Sequence, residues 1–128
     1  MVTPSTHYFT LAEANLALEV VRPLVAKILE YRQAIKEEQP EAWPMVSKAA
    51  GNGGGLPASH LAFDFDRLDQ AVRQVQATGA ILKDINTGLV DFLSIREERE
   101  IYLCWRYGED QITFWHEIDA GFSGRNPL

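Results

Sequence analysis

The 128-residue sequence contains one cysteine, Cys104, so it holds no intrachain disulfide, no thiolate zinc cluster and no redox pair. Basic residues are also scarce. Twelve Lys and Arg stand against eighteen Asp and Glu, giving a net charge of −6 and a pI of about 5.0. Divided at Gly79, the chain has 7 basic and 9 acidic residues before it and 5 basic and 9 acidic from it onward. Neither half offers the basic face that releases counterions from nucleic acid, which excludes nucleic acid as a partner. No apolar run approaches the roughly 18–20 residues that span a bilayer, so a membrane partner is excluded too. The first residues lack a basic segment followed by an apolar one, and the expectation is a cytoplasmic protein. Also missing are a P-loop, a dinucleotide-binding glycine fingerprint, a serine-hydrolase elbow and an EF-hand loop. What remains is ordinary globular composition, 46% hydrophobic and 23% charged, at a length that suits a single domain over 1–128.

The first half has helical spacing. Thr10 and Glu13 stand at capping-box distance. Leu11, Ala14, Leu18, Val21, Val25, Ile28 and Ile35 recur at three- and four-residue intervals, predicting a helix to about Glu38. Pro23 removes one backbone donor, so a kink or break is expected near 18–22. Pro40, Pro44, Pro57 and the glycines of 51–55 predict a flexible loop over 39–59. Leu61, Phe65, Leu68, Val72 and Val75 then mark a second helix ending at Gly79. Together these elements predict an antiparallel helical hairpin over 10–78.

Past Gly79 the period changes to 2, predicting a β-meander over 80–118 and a C-terminal arm over 119–128. Strands are expected at 80–84, 89–92, 100–107 and 111–118, with 94–99 as a charged connection. An even-length turn at Gly108-Glu-Asp110 would place Ile101, Leu103, Trp105, Ile112, Phe114 and His116 on one face toward the helices. Tyr102, Cys104, Arg106, Thr113, Trp115 and Glu117 would share the other. The fold class is α+β, a helical hairpin on a three- to four-stranded antiparallel sheet.

Several segments carry a family resemblance: Phe9-Thr-Leu-x-Glu-Ala-Asn15, Val21-Arg-Pro-Leu24, Leu82-Lys-Asp84, Gly88-Leu-Val-Asp-Phe92, Tyr102-Leu-Cys-Trp-Arg106 and Trp115-His-Glu-x-Asp-x-Gly-Phe-x-Gly-Arg125. With these the chain resembles the bacterial family catalogued as domain of unknown function 2203, over nearly its whole length. The resemblance implies membership and a small single domain. It supplies no activity, cofactor or site residue.

The chemistry is densest near the C-terminus. His116 is either an imidazole bonded at the rim of the core or a partner of Asp119, Asp84 or Asp91 as metal ligand or acid/base couple. Asp84 and Asp91 interrupt apolar strands, so each needs a turn, an ion pair or a shared cleft. Gly121 to Arg125 serves either as an arm that plugs the domain or as a wrap for a small anionic ligand gripped by Arg125. Cys104 has no evident activating base and is read as a buried inert thiol.

Two functions follow. The first is an interaction or assembly module, a homo-oligomer formed through the face around Tyr102, Trp115 and Arg106. The second is a small-molecule or metal-assisted enzyme built from His116, Asp119, Asp84 and Asp91, with Arg125 holding an anion. No cofactor follows from the sequence.

Overall fold

The computed structural model describes residues 7–51 and 60–128, with side chains for 7–51 and 64–128. The architecture is α+β. Helices α1 (Leu11–Glu38), α2 (Trp43–Ala49) and α3 (His60–Ala77) precede β1 (Ile81–Asp84), β2 (Leu89–Arg96), β3 (Arg99–Arg106), β4 (Phe114–Glu117) and β5 (Asn126–Pro127). The five strands form one antiparallel sheet in the order of the chain. Among the described residues, no helix is long and apolar enough to cross a membrane.

Helix α1 begins with the capping box expected from Thr10 and Glu13. The Thr10 hydroxyl accepts from the Glu13 N–H at 3.1 Å, and the Glu13 carboxylate accepts from the Thr10 N–H at 2.9 Å. The helix then runs through Pro23 without the expected break. Val21 and Val25 on either side are fully buried, and their burial outweighs the loss of one backbone bond. Ala14, Leu18, Val21, Val25, Ile28 and Ile35 form its buried stripe, which meets Phe65, Leu68, Val72 and Val75 of α3 in one core.

The loop expected over 39–59 is partly helical. Pro40 opens a 3-10 turn (Pro40–Ala42), and Pro44 lies in the first turn of α2, where a missing N–H costs nothing. Trp43 and Val46 anchor this segment in the core. Among the described residues the α-helices therefore number three instead of a bare hairpin, and 52–59 of the expected loop lie outside those residues.

The sheet also exceeds the expected count, with five strands instead of three or four. β2 and β3 each run to eight residues because the charged connection is a two-residue turn. Glu97 and Glu98 both have positive φ, 52° and 65°, the backbone of a tight primed hairpin turn. Val90 and Phe92 pair with Trp105 and Leu103, and all four are buried against the helices.

The register of β4 differs from expectation. Cys104 pairs with Phe114, Leu103 with Trp115, and Tyr102 with His116. Trp115 therefore faces the helices, whereas Phe114 and His116 share the outer face with Tyr102 and Cys104. The cause is the connection between β3 and β4. It folds back so that the Glu109 carbonyl accepts from the Trp105 indole at 2.8 Å and the Glu109 carboxylate accepts from the Arg106 N–H at 2.7 Å. Ile112 enters the core from this connection and not from a strand, its N–H donating to Asn15 Oδ1 at 2.9 Å.

Candidate metal centre

Among the described residues no α-helix packs on the outer face of the sheet, yet this face contains the most buried polar groups. Asp91 on β2, Cys104 on β3 and His116 on β4 retain 1%, 0% and 2% of their surface. Asp91 and Cys104 are direct cross-strand partners, and His116 lies on the next strand. One ligand atom from each, a carboxylate oxygen, a thiol sulfur and an imidazole nitrogen, lies within 4.8 Å of the other two.

The hydrogen-bond pattern restricts what occupies this space. His116 Nδ1 lies 2.8 Å from the Glu117 carbonyl oxygen, which only accepts, so Nδ1 carries a hydrogen. Nε2 lies 3.0 Å from Asp91 Oδ2. A bare ring nitrogen and a bare carboxylate oxygen repel at that distance, so a proton or a cation must stand between them. The other carboxylate oxygen, Asp91 Oδ1, is buried without a hydrogen-bond partner. Burial first, and then the charge of Asp91 and its hydrogen bond with the thiol, push Cys104 up to about 12. Both imidazole nitrogens are engaged away from the sulfur, so His116 does not serve Cys104 as a base.

Aromatic and cationic groups close over the cluster. The Tyr102 ring lies 5.5 Å from the His116 ring, and the Lys83 ammonium sits 4.6 Å from the Tyr102 ring. On the other side, Arg125 stacks 4.0 Å from Phe114 and 4.6 Å from Phe122. Its Nη2 donates to both Glu109 carboxylate oxygens at 2.7 and 2.8 Å.

Of the residues singled out from the sequence, the structure brings together His116 and Asp91. Asp84 sits apart at a bulge in β1, where its Oδ1 accepts from the Asn86 N–H at 2.8 Å in an Asx-type turn. Asp119 is exposed in the turn after β4, outside the cluster. Arg125 is paired with Glu109 at 2.7 Å and lies outside the cluster. Tyr102 and Trp115 lie on opposite faces, so they form no common surface with Arg106. Trp115 packs on the core, with Arg96 4.7 Å over its ring.

Cys104 is the functional candidate that sequence reasoning missed. A signal was present, because Asp91 and Cys104 are equidistant from the Glu97–Glu98 turn. Recognising that turn would have placed them opposite one another.

Residues 7–128 match the model of a family described as an uncharacterized conserved protein, DUF2203. The chain belongs to this family. The match covers the helices, the sheet and the C-terminal arm together, so the candidate centre lies within the family's domain. No curated protein and no solved structure matches the chain.

Proposed function

We propose that the domain binds a transition-metal cation of the zinc class through Asp91, Cys104 and His116. The observation that supports this reading is a buried oxygen, sulfur and nitrogen donor set on three adjacent strands, with Asp91 Oδ1 lacking a partner. Zinc bonds of about 2.0–2.3 Å set tetrahedral ligand atoms roughly 3.3–3.8 Å apart, so the 3.0 Å pair of Nε2 and Oδ2 must open slightly while the wider separations close. The cation takes the place of the proton between His116 and Asp91 and of the thiol proton, which removes the repulsion between the bare acceptors. Glu117 fixes the ring by accepting from Nδ1, leaving Nε2 as the ligating nitrogen. Imidazole, thiolate and carboxylate together favour zinc, or cobalt as its probe, over magnesium or calcium.

The test is metal content and cobalt spectroscopy. Protein purified without chelator should contain close to one equivalent of zinc. Cobalt substitution should give a thiolate-to-metal charge-transfer band that Cys104→Ser abolishes. Sub-stoichiometric metal that His116→Ala leaves unchanged would reject the assignment.

Self-association is the second reading, supported by a different surface from the one expected. Leu16 and Val20 stand one turn apart on α1 and are 68% and 54% exposed. Light scattering of the wild type and of Leu16→Glu/Val20→Glu tests it, with a dimer reduced to a monomer as the expected result.

A further inference from the structure

A second feature of the outer face stands independently of the metal reading. Two residues along the strands from Asp91 and Cys104, and on the same face, Leu89 pairs with Arg106 at the end of the sheet. Here a cavity of about 270 Å³ is lined by Asp84, Thr87, Leu89, Arg106 and Phe122. Asp84 and Arg106 carry opposite charges into this space yet make no ion pair with one another. Each is restrained from closing the gap. Asp84 is tied by its turn to the Asn86 N–H, and the Arg106 guanidinium lies 5.6 Å over the Phe122 ring. Leu89 and Phe122 supply apolar walls, and Thr87 adds a hydroxyl.

From this arrangement we infer that the cavity is a binding site for a small zwitterion with an apolar body, the chemistry of an apolar α-amino acid. The carboxylate pairs with the Arg106 guanidinium, which presents a fork matched to two oxygens. The ammonium goes to the Asp84 oxygen not used by the turn. The apolar side chain packs between Leu89 and Phe122, as in ligand sites where a few polar groups orient a mostly apolar contact. A phosphate suits the cavity less, since Asp84 repels a dianion. A simple amine suits it less because Arg106 repels a cation. Asp91 and Cys104 are not in the lining, so the bound molecule lies beside the metal centre and does not enter it.

Titration of the full chain with L-leucine, followed by backbone amide chemical shifts, tests the inference. Isocaproate and isopentylamine share the leucine skeleton and retain one charge each. Saturable shifts should centre on Thr87, Leu89, Arg106 and Phe122, and each single-charge analogue should bind about tenfold more weakly, the value of one charge-assisted hydrogen bond. Arg106→Gln and Asp84→Asn should each weaken leucine by a similar factor. The amide introduced by Asp84→Asn keeps an oxygen that can accept from the Asn86 N–H, so the turn is preserved while the charge is lost. No saturable shift up to the solubility limit of leucine, equal binding of isocaproate and leucine, or undiminished binding by Arg106→Gln would each overturn it. Zinc affinity measured on Arg106→Gln should match the wild type, so failure at this cavity is separable from failure of the metal centre.

Discussion

His116→Ala is the most demanding perturbation of the outer face, because it separates the energy of the buried pair from that of a bound metal. His116 and Asp91 retain 2% and 1% of their surface, and their mutual contact is the 3.0 Å approach of Nε2 to Oδ2. Removing the imidazole leaves a buried carboxylate without its ring partner, which costs about 3–5 kcal/mol when one member of a buried pair is lost. Against a typical domain stability of about 5–15 kcal/mol, that is a large fraction. The double variant Asp91→Leu/His116→Phe removes both polar groups and fills the space, so its cost should be far smaller. Zinc at one hundred times its Kd should stabilise the wild type by about 2.7 kcal/mol and leave both variants unchanged. Urea unfolding at neutral pH, with chelator and then with zinc, measures all of these terms, and a constant m-value verifies that the unfolded state is comparable. A loss below about 1 kcal/mol in His116→Ala would refute the buried-pair energetics. Equal stabilisation of wild type and variant by zinc would refute the ligand assignment.

Three smaller perturbations probe other parts of the molecule. Cys104, whose thiol is pushed up to about 12 by burial and by Asp91, should resist alkylation by iodoacetamide at pH 8 until the protein unfolds; labelling at the rate of a free thiol would contradict its environment. Gly88→Ala should destabilise by more than about 1 kcal/mol in thermal unfolding, because Gly88 has φ +73° and an added Cβ would stand 2.8 Å from both Val25 and Tyr107. The Arg99 hydrogen bond and charge hold Glu117 below the ordinary carboxylate range. Its stabilising contribution is therefore present at neutral pH and is lost as pH falls through the lowered value. Arg99→Gln should flatten that part of the acid limb, and an unchanged limb would show the pair to be energetically silent.

The helical half was legible in the sequence because its signals are local. The apolar stripe of α1 follows from residue spacing, and the capping box from two side chains three residues apart. The helix over 43–49 is hidden because clustered prolines read as breakers, whereas Pro44 occupies a position that tolerates its missing N–H. In the sheet, the strand segments were visible but the parity of β4 was not. Its register depends on Glu109 folding back onto Trp105 and Arg106, a non-local arrangement that alternation alone does not encode. His116 and Asp91 were recognised individually from polar chemistry in apolar strands. Cys104 was not joined to them, because that step requires the Glu97–Glu98 turn, whose two glutamates lack the usual glycine or asparagine signature.

The connection between β3 and β4 is also a switch of handedness for side chains. With seven residues between Arg106 and Phe114, the strand returns with His116 beside Asp91. Insertion or deletion of one residue in that span, if it is taken up by a one-residue slip of β4 against β3, turns the imidazole toward the apolar core and brings Trp115 out in its place. The three side chains would all still be encoded, but they would no longer meet. The register of β4 against β3 is therefore as much a part of the centre as the residues themselves, and a variant in which it slips by one residue should lack the centre even with Asp, Cys and His in place.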